Sequence, residues 1–356
     1  MSVPGPGLVE VAVVRVEDAP GPTLVVEVEH LPPGALAVAG ELTALRAHLA
    51  RTPYARVNKI ALYGPSARLD SHPAPRLDSH PAPRLDSHPA PRLDSRSGPR
   101  LDSHPDSRPD AHPESDPALD YRFVQALPGG AFDFRAGCGH SLLACVVAAA
   151  RPGPVTVHAL TTGDLVRCTP EASGGTTLRF LRAPTAPGTL PTGRPVDVLD
   201  VLGGVPVTLV RYGNPYVFVD ARHLGVRTAR ALFGAGDDVR RPLLALRAHA
   251  ARLLGHDERS ALPKIAAFAA EDGALAVRAL TVGGWHPRLA LTGAVALAAA
   301  GALPGTVVPD LAGRPVRTPG GRTVSVSADA HHVAVRHKRA TVLERLELPW
   351  RIHATA

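Results

Sequence analysis

The chain has 356 residues, 45% of them apolar but only 4% aromatic, so its cores must be built from Ala, Val and Leu. That content excludes a wholly disordered chain, and the lack of aromatics argues against a base-stacking nucleic-acid surface. The formal net charge of +7 points to an anionic partner, but it is spread along the sequence rather than gathered into a basic run, so no nucleic-acid partner is expected.

The first segments in chain order are β-type runs at residues 9–16 and 23–29, an amphipathic helix candidate at 42–49 and a further β run at 59–63. An eight-residue repeat, RLDSHPAP, then begins at Arg68, Arg76 and Arg84 and decays towards Pro117. Proline recurs too often there for a helix or central strand, and one Leu per unit cannot build a core. The segment reads as an expanded linker. Its regularly spaced histidines suit at most loose metal binding, so no metal site is assigned.

Past the repeat, β runs are expected at 121–125, 155–160, 177–181, 205–210, 216–219, 265–269, 274–280, 323–328 and 332–336, with an amphipathic helix at 239–254. Two further helices, 138–150 (CGHSLLACVVAAA) and 292–303 (TGAVALAAAGAL), are apolar nearly all round, so each should be buried at the centre of a sheet-rich lobe. Pro152 and Pro304 stop them. Their N-termini carry unpaired N–H groups and a positive dipole end, a natural setting for a carboxylate. The reading is an α+β chain of two pseudo-symmetric lobes. The N-terminal lobe spans 1–190 with the insert 68–117, the C-terminal lobe spans 191–320, and the strands of 321–356 return to the first lobe.

Cys138, Cys145 and Cys168 form neither a paired framework nor a zinc pattern. No leader-like or membrane-spanning segment is read, so a cytoplasmic protein without membrane contact is expected. There is no GxxxxGK[ST], and GGAFDFRAGCG lacks dinucleotide-binding spacing, so no cofactor is expected.

A series of motifs resembles the PrpF-type family of 2-methylaconitate cis–trans isomerases and 4-oxalomesaconate tautomerases, related in fold to diaminopimelate epimerase. VNKIALYGPS (57–66) matches a lysine-bearing strand of the TSKVAI type, LDYRFVQA (119–126) matches VDYLFAQV, and AGCGHS (136–141) matches GNCGN. PTGRPVD (191–197), NPYVFV (214–219), PKIAAF (263–268), GGWHPRLALTGAV (283–295) and LPGTVV (303–308) continue in the same order. The family's N-terminal GGTSKG turn has no counterpart, GPT at 21–23 standing in its place. Its asparagine after Cys-Gly is His140, and its PTGN asparagine is Arg194.

The resemblance implies a two-lobed diaminopimelate epimerase-like fold and a cofactor-independent isomerase or tautomerase. Its substrate would be a small di- or tricarboxylate or a related unsaturated acid, bound between the lobes by a monomer or homodimer. Moving a double bond beside a carboxylate needs a base, an acid and dipoles that hold the enolate between them. Lys59 and Cys138 would supply the proton transfers. Of 39 basic residues only Lys59, Lys264 and Lys338 are lysines, and Lys, unlike Arg, can become a neutral base. A thiol at a helix N-terminus ionises more readily, and a lysine in an apolar cleft loses its proton more easily.

Asn58, Ser66, Gly139, His140, Ser141, Asn214, Lys264, His286, Thr292, Gly293 and Ala294 are the candidate substrate-binding residues. Each has a plainer reading. Cys138 is then a small apolar filler, Lys59 a solvated charge, Lys264 a strand-edge charge, His140 a local cap, and His286 part of a packed Trp-His-Pro turn. A two-thiol racemase is disfavoured, because the second helix begins with Thr292 rather than a cysteine. A noncatalytic, anion-binding member of the family is the rival reading.

Overall fold

The structure, a computed structural model, describes residues 7–29, 31, 35–66, 118–258, 260–281 and 284–350. The RLDSHPAP repeat lies outside the described residues. The first part of the chain forms β1 (Gly7–Val16), β2 (Thr23–Glu27), α1 (Ala35–Leu49), β3 (Lys59–Pro65), β4 (Leu119–Ala126), β5 (Phe132–Asp133), α2 (Gly139–Ala148), β6 (Val155–Ala159), β7 (Asp164–Pro170) and β8 (Thr176–Phe180). The second part forms β9 (Asp197–Leu199), β10 (Val205–Tyr212), β11 (Asn214–Asp220), α3 (Ala229–Gly234), α4 (Asp237–Leu253), β12 (Lys264–Glu271), β13 (Ala274–Thr281), β14 (Gly284–Trp285), α5 (Leu291–Gly301), β15 (Val316–Thr318) and β16 (Arg322–Val324). β17 (Val326–Ala328), β18 (Val333–Lys338) and β19 (Ala340–Trp350) complete it.

Two sheets result. One runs β17-β18-β8-β7-β6-β4-β3-β2-β1-β19 with β5 beside β4, and the other runs β16-β15-β13-β12-β11-β10-β9 with β14 beside β13. The lobes repeat one wiring. β1 and β2 are antiparallel, β2 and β3 parallel across α1, and β3 and β4 antiparallel before α2. β10, β11, β12 and β13 follow the same sequence of pairings, with α3 and α4 as the crossover and α5 as the central helix. A parallel pair needs such a crossover, so the repeat of pairings fixes the repeat of helices.

α2 and α5 are central because neither has a polar face: residues 139–145 and 291–300 are buried throughout. α2 packs on β1, β2 and β3 of its own sheet. α5 lies on β10 and β11 and also on β17 and β18 of the other sheet. Residues of both helices therefore join one continuous apolar core, a closer union than two separately filled lobes.

Several elements differ from expectation. α1 begins seven residues before the predicted 42–49. The predicted strand 323–328 is two strands, because the chain passes at Ser325 from one sheet to the other, where the Ser325 carbonyl accepts from Arg336 N at 3.0 Å. β19, not predicted, pairs with β1 along its whole length; it is an edge strand whose alternate side chains face outward, so it lacks the apolar run that marks a buried strand. Among the described residues no helix is long and apolar enough to cross a membrane.

One tight contact between the lobes depends on a missing side chain. A Cβ on Gly139 would overlap Leu291 Cδ2 and lie 3.1 Å from its Cβ and Cγ. Gly139→Ala should therefore destabilise by about 1–3 kcal/mol, the usual cost of overpacking. In a thermal or chemical denaturation cycle the Gly139→Ala/Leu291→Ala pair should cost at least about 1 kcal/mol less than the sum of its parts. Additive costs would show that the two residues do not press on each other.

Candidate functional site

The starts of α2 and α5 meet over the ends of β3 and β12. Cys138 stands at the N-cap of α2 with extended backbone (φ −141°, ψ 104°), and no side chain caps that helix. Its carbonyl accepts from the Tyr121 hydroxyl at 2.9 Å and from Leu142 N at 2.9 Å. One residue earlier, Gly137 is gripped by Asn214: its N–H donates to Asn214 Oδ1 at 2.7 Å and its carbonyl accepts from Asn214 Nδ2 at 2.9 Å. The same Nδ2 lies 3.4 Å from Thr292 Oγ1 at the start of α5. An amide fully engaged in this way joins the lobes and has little capacity left for a ligand.

The two lysines occupy equivalent places. Lys59-Ile60-Ala61 opens β3 beside its parallel partner β2, and Lys264-Ile265-Ala266 opens β12 beside β11, with Lys264 opposite Tyr216. Both side chains line a pocket shared with Pro20, Phe123, Gln125, Cys138, His140, Thr281, His286 and Thr292. Lys59 is only 7% exposed. Burial lowers the pKa of both lysines, opposed by the attraction of the Cys138 sulfur. Among the described residues neither lysine has a salt-bridge partner, and no Asp or Glu lines the pocket.

The histidines are held neutral. Burial, then the charges of Lys59, Lys338 and His286, push His140 well below its usual range, and its Nε2 has no hydrogen-bond partner. Burial and the Lys59 charge push His286 down to about 4, and its Nδ1 accepts from Arg288 N at 3.1 Å, which leaves the proton on Nε2.

Of the sequence candidates, the pocket thus gathers Lys59, Cys138, His140, Lys264, His286 and Thr292. Gly139 lies at its edge, on an adjoining small cavity that Cys138 and Thr292 share. The others sit elsewhere. Ser141 is fully buried against Thr23 (3.1 Å), and Asn214 is the clamp described above. Gly293 and Ala294 donate their N–H groups to the Ala290 carbonyl at 2.8 and 3.0 Å; the second bond is matched in α2 by Leu142 on the Cys138 carbonyl, so the engaged Gly293 N–H is what sets the α5 start apart. Asn58 is exposed, its carbonyl held by Gln125 Nε2 at 2.7 Å. Ser66 follows the opposite end of β3 from Lys59, roughly 20 Å away at the rise of a strand, and donates to Asp120 at 3.0 Å.

Sequence reasoning missed a third cation behind the pocket. Lys338 is buried, pairs with Asp18 at 3.1 Å and acts electrostatically on His140, and Asp18 also lies 3.6 Å from Arg288. The only hint was that Lys338 is the chain's third lysine. Among the described residues no three or more metal-binding side chains cluster.

The fold is of the diaminopimelate epimerase type. A methylitaconate-delta-isomerase crystal structure superposes with a TM-score of 0.58 at 18% identity, covering 99% of each chain. A probable proline racemase from Agrobacterium radiobacter K84 gives 0.53 at 14% identity, and a hydroxyproline epimerase from Agrobacterium vitis gives 0.50 at 15%; each match covers 96% of this chain and 92% of the other. The PrpF protein family profile matches residues 161–342, slightly more than half of the sequence, and the chain belongs to that family. A curated relative, the 2-methyl-aconitate isomerase of Shewanella oneidensis, is 36% identical over 147 residues. That match covers 33% of this chain and 36% of the relative, so it spans little more than a third of the relative's length.

The buried imidazoles set an acid limit on stability. An unfolded His protonates near pH 6.5, whereas folded His286 stays neutral down to about 4, so the unfolded chain binds the extra proton and stability falls as pH drops between those values. His286 alone should account for a loss of about 3 kcal/mol, levelling off below pH 4. Denaturation midpoints at pH 7 and pH 4.5 should diverge less in His286→Gln than in wild type. An equal divergence would show that His286 titrates normally.

Proposed function

We propose that this protein is an isomerase that shifts a double bond or an α proton in a small unsaturated di- or tricarboxylate, with Lys59 and Cys138 as its proton-transfer groups. The observation that carries this reading is a carboxylate-free pocket holding two desolvated lysines without anionic partners beside a thiol. Leaving such charges buried and unpaired is costly unless an anion arrives to pair with them. The names of the relatives, a 2-methyl-aconitate isomerase and a methylitaconate-delta-isomerase, support an unsaturated acid as that anion.

In this reading Lys264 and the open N–H groups at the start of α2 hold substrate carboxylate. Lys59, lowered towards neutrality by burial, removes a proton from the carbon beside the double bond. The electron pair moves into the conjugated system, and the charge that collects on the carboxylate oxygens is met by the Lys264 ammonium and the α2 dipole. A proton returns to the distal carbon from the Cys138 thiol or from the Lys59 ammonium, and the double bond has moved with no net change in composition. The reaction as written uses no cofactor. Three free thiols suit a cytoplasmic setting.

In heavy water the wild-type protein should incorporate deuterium into at least one of a panel of aconitate-like and itaconate-like acids. Lys59→Arg keeps the charge but cannot give up its proton, so it should retain binding and lose exchange by roughly a hundredfold or more. Full exchange in Lys59→Arg would remove Lys59 from the mechanism. Binding without exchange in wild type would identify a noncatalytic anion-binding family member.

A further inference from the structure

Lys264 faces two cavities. One is the reaction pocket, about 60 Å³; the other, about 260 Å³, adjoins it through Lys264, Leu280 and Thr281 and is lined in addition by Asp133, Arg135, Leu244, Arg247 and Ser260. The larger chamber is electrically unbalanced. Its one carboxylate, Asp133, is already taken by Arg135, which donates Nε and Nη2 at 3.0 Å each and its backbone N–H at 2.9 Å. Arg247 donates to the backbone carbonyls of Ser260, at 2.6 Å, and Glu258. Those carbonyls orient the guanidinium without cancelling its charge, and the Glu258 carboxylate is paired with Arg252 at 2.5 Å. Lys264 contributes a third cation; Asp133 attracts it and the Glu258 carboxylate attracts Arg247, but among the described residues neither Lys264 nor Arg247 makes a salt bridge, so three cations face one lining carboxylate.

We infer that this chamber is a second anion subsite, and that the substrate reaches past Lys264 so that a distal carboxylate lies between Lys264 and Arg247 while the reacting carbons stay beside Lys59 and Cys138. The inference rests on the proposed carboxylate reading of the pocket and sharpens it. The small pocket houses the reacting atoms, and the chamber selects acids with at least two carboxylates set apart along the chain. An acid with a single carboxylate satisfies only one of the two cationic centres. Lys264 is then a binding residue shared by both ends of the substrate, and Arg247, in α4, is the specificity determinant contributed by the second lobe.

Leu244 offers a test that leaves the reacting residues untouched. It is 41% exposed, lines the chamber, and stands one helical turn before Arg247. Leu244→Glu places a carboxylate beside the guanidinium, and Leu244→Gln is its uncharged control. By calorimetry, trans-aconitate should bind wild type at least tenfold more tightly than crotonate. Leu244→Glu should weaken trans-aconitate at least tenfold while leaving crotonate within twofold, and Leu244→Gln should leave both within threefold. Equal affinity of wild type for the two acids, no binding of trans-aconitate, or unchanged trans-aconitate binding in Leu244→Glu would overturn the subsite. Because the readout is binding, loss of the subsite leaves the proton-exchange reading standing, and absence of exchange leaves the subsite testable.

Discussion

The site is built around one side chain. The Asn214 amide bonds both backbone groups of Gly137 and reaches the hydroxyl of Thr292, so the residue before α2 and the first turn of α5 are held by a single planar group that is 1% exposed. Orphaning a buried backbone donor or acceptor costs about 1–3 kcal/mol, and here two on one residue depend on the same amide. With Gly137 fixed, Cys138 follows in extended conformation. Gly139 can then press against Leu291 only because it has no Cβ. Every distance that brings the Cys138 thiol, Lys59 and Lys264 to one pocket depends on that contact between the lobes.

Duplication supplies the frame, and the two halves of the pocket depart from it. The two lobes offer the same strand wiring, a lysine at the same strand start and an apolar helix at the same depth. Yet Cys138 stands at one helix start and Thr292 at the other, and in α5 the Gly293 N–H is already taken by the Ala290 carbonyl. The lysines also diverge. Lys59 lines the smaller pocket, whereas Lys264 lines both that pocket and the chamber towards α4. Under the proposed reading, a site with one thiol and two lysines that make no salt bridge among the described residues suits proton transfer on an anion better than inversion by two opposed thiols. His140 presents a neutral ring to the same space.

Much of this frame was legible in the sequence because its signals are local. Helices apolar on all sides are recognisable without a partner, and the lysine strands and the Cys-Gly turn lie in short motifs. What escaped was set by distance along the chain or by geometry within a motif. Asp18 and Lys338 are separated by 320 positions before the sheet joins them. Ser66 shares a motif with Lys59, yet a strand carries it to the other side of the lobe. Asn214 reads as a ligand for substrate because a buried amide and a binding amide look alike in sequence; only its partners show that it is a clamp. The mostly polar face of β19 hid a strand that pairs with β1 throughout.

The most direct test of the pocket as the place where an acid binds beside the thiol is the rate at which iodoacetamide labels Cys138, read by peptide mass spectrometry with and without saturating trans-aconitate. Cys145 and Cys168 are buried, and burial pushes the Cys145 thiol up strongly and the Cys168 thiol up to about 12, so neither competes. The structure predicts that Cys138 is labelled first and that the acid slows its labelling at least tenfold. Labelling of Cys138 at an unchanged rate while the acid is bound would contradict the site.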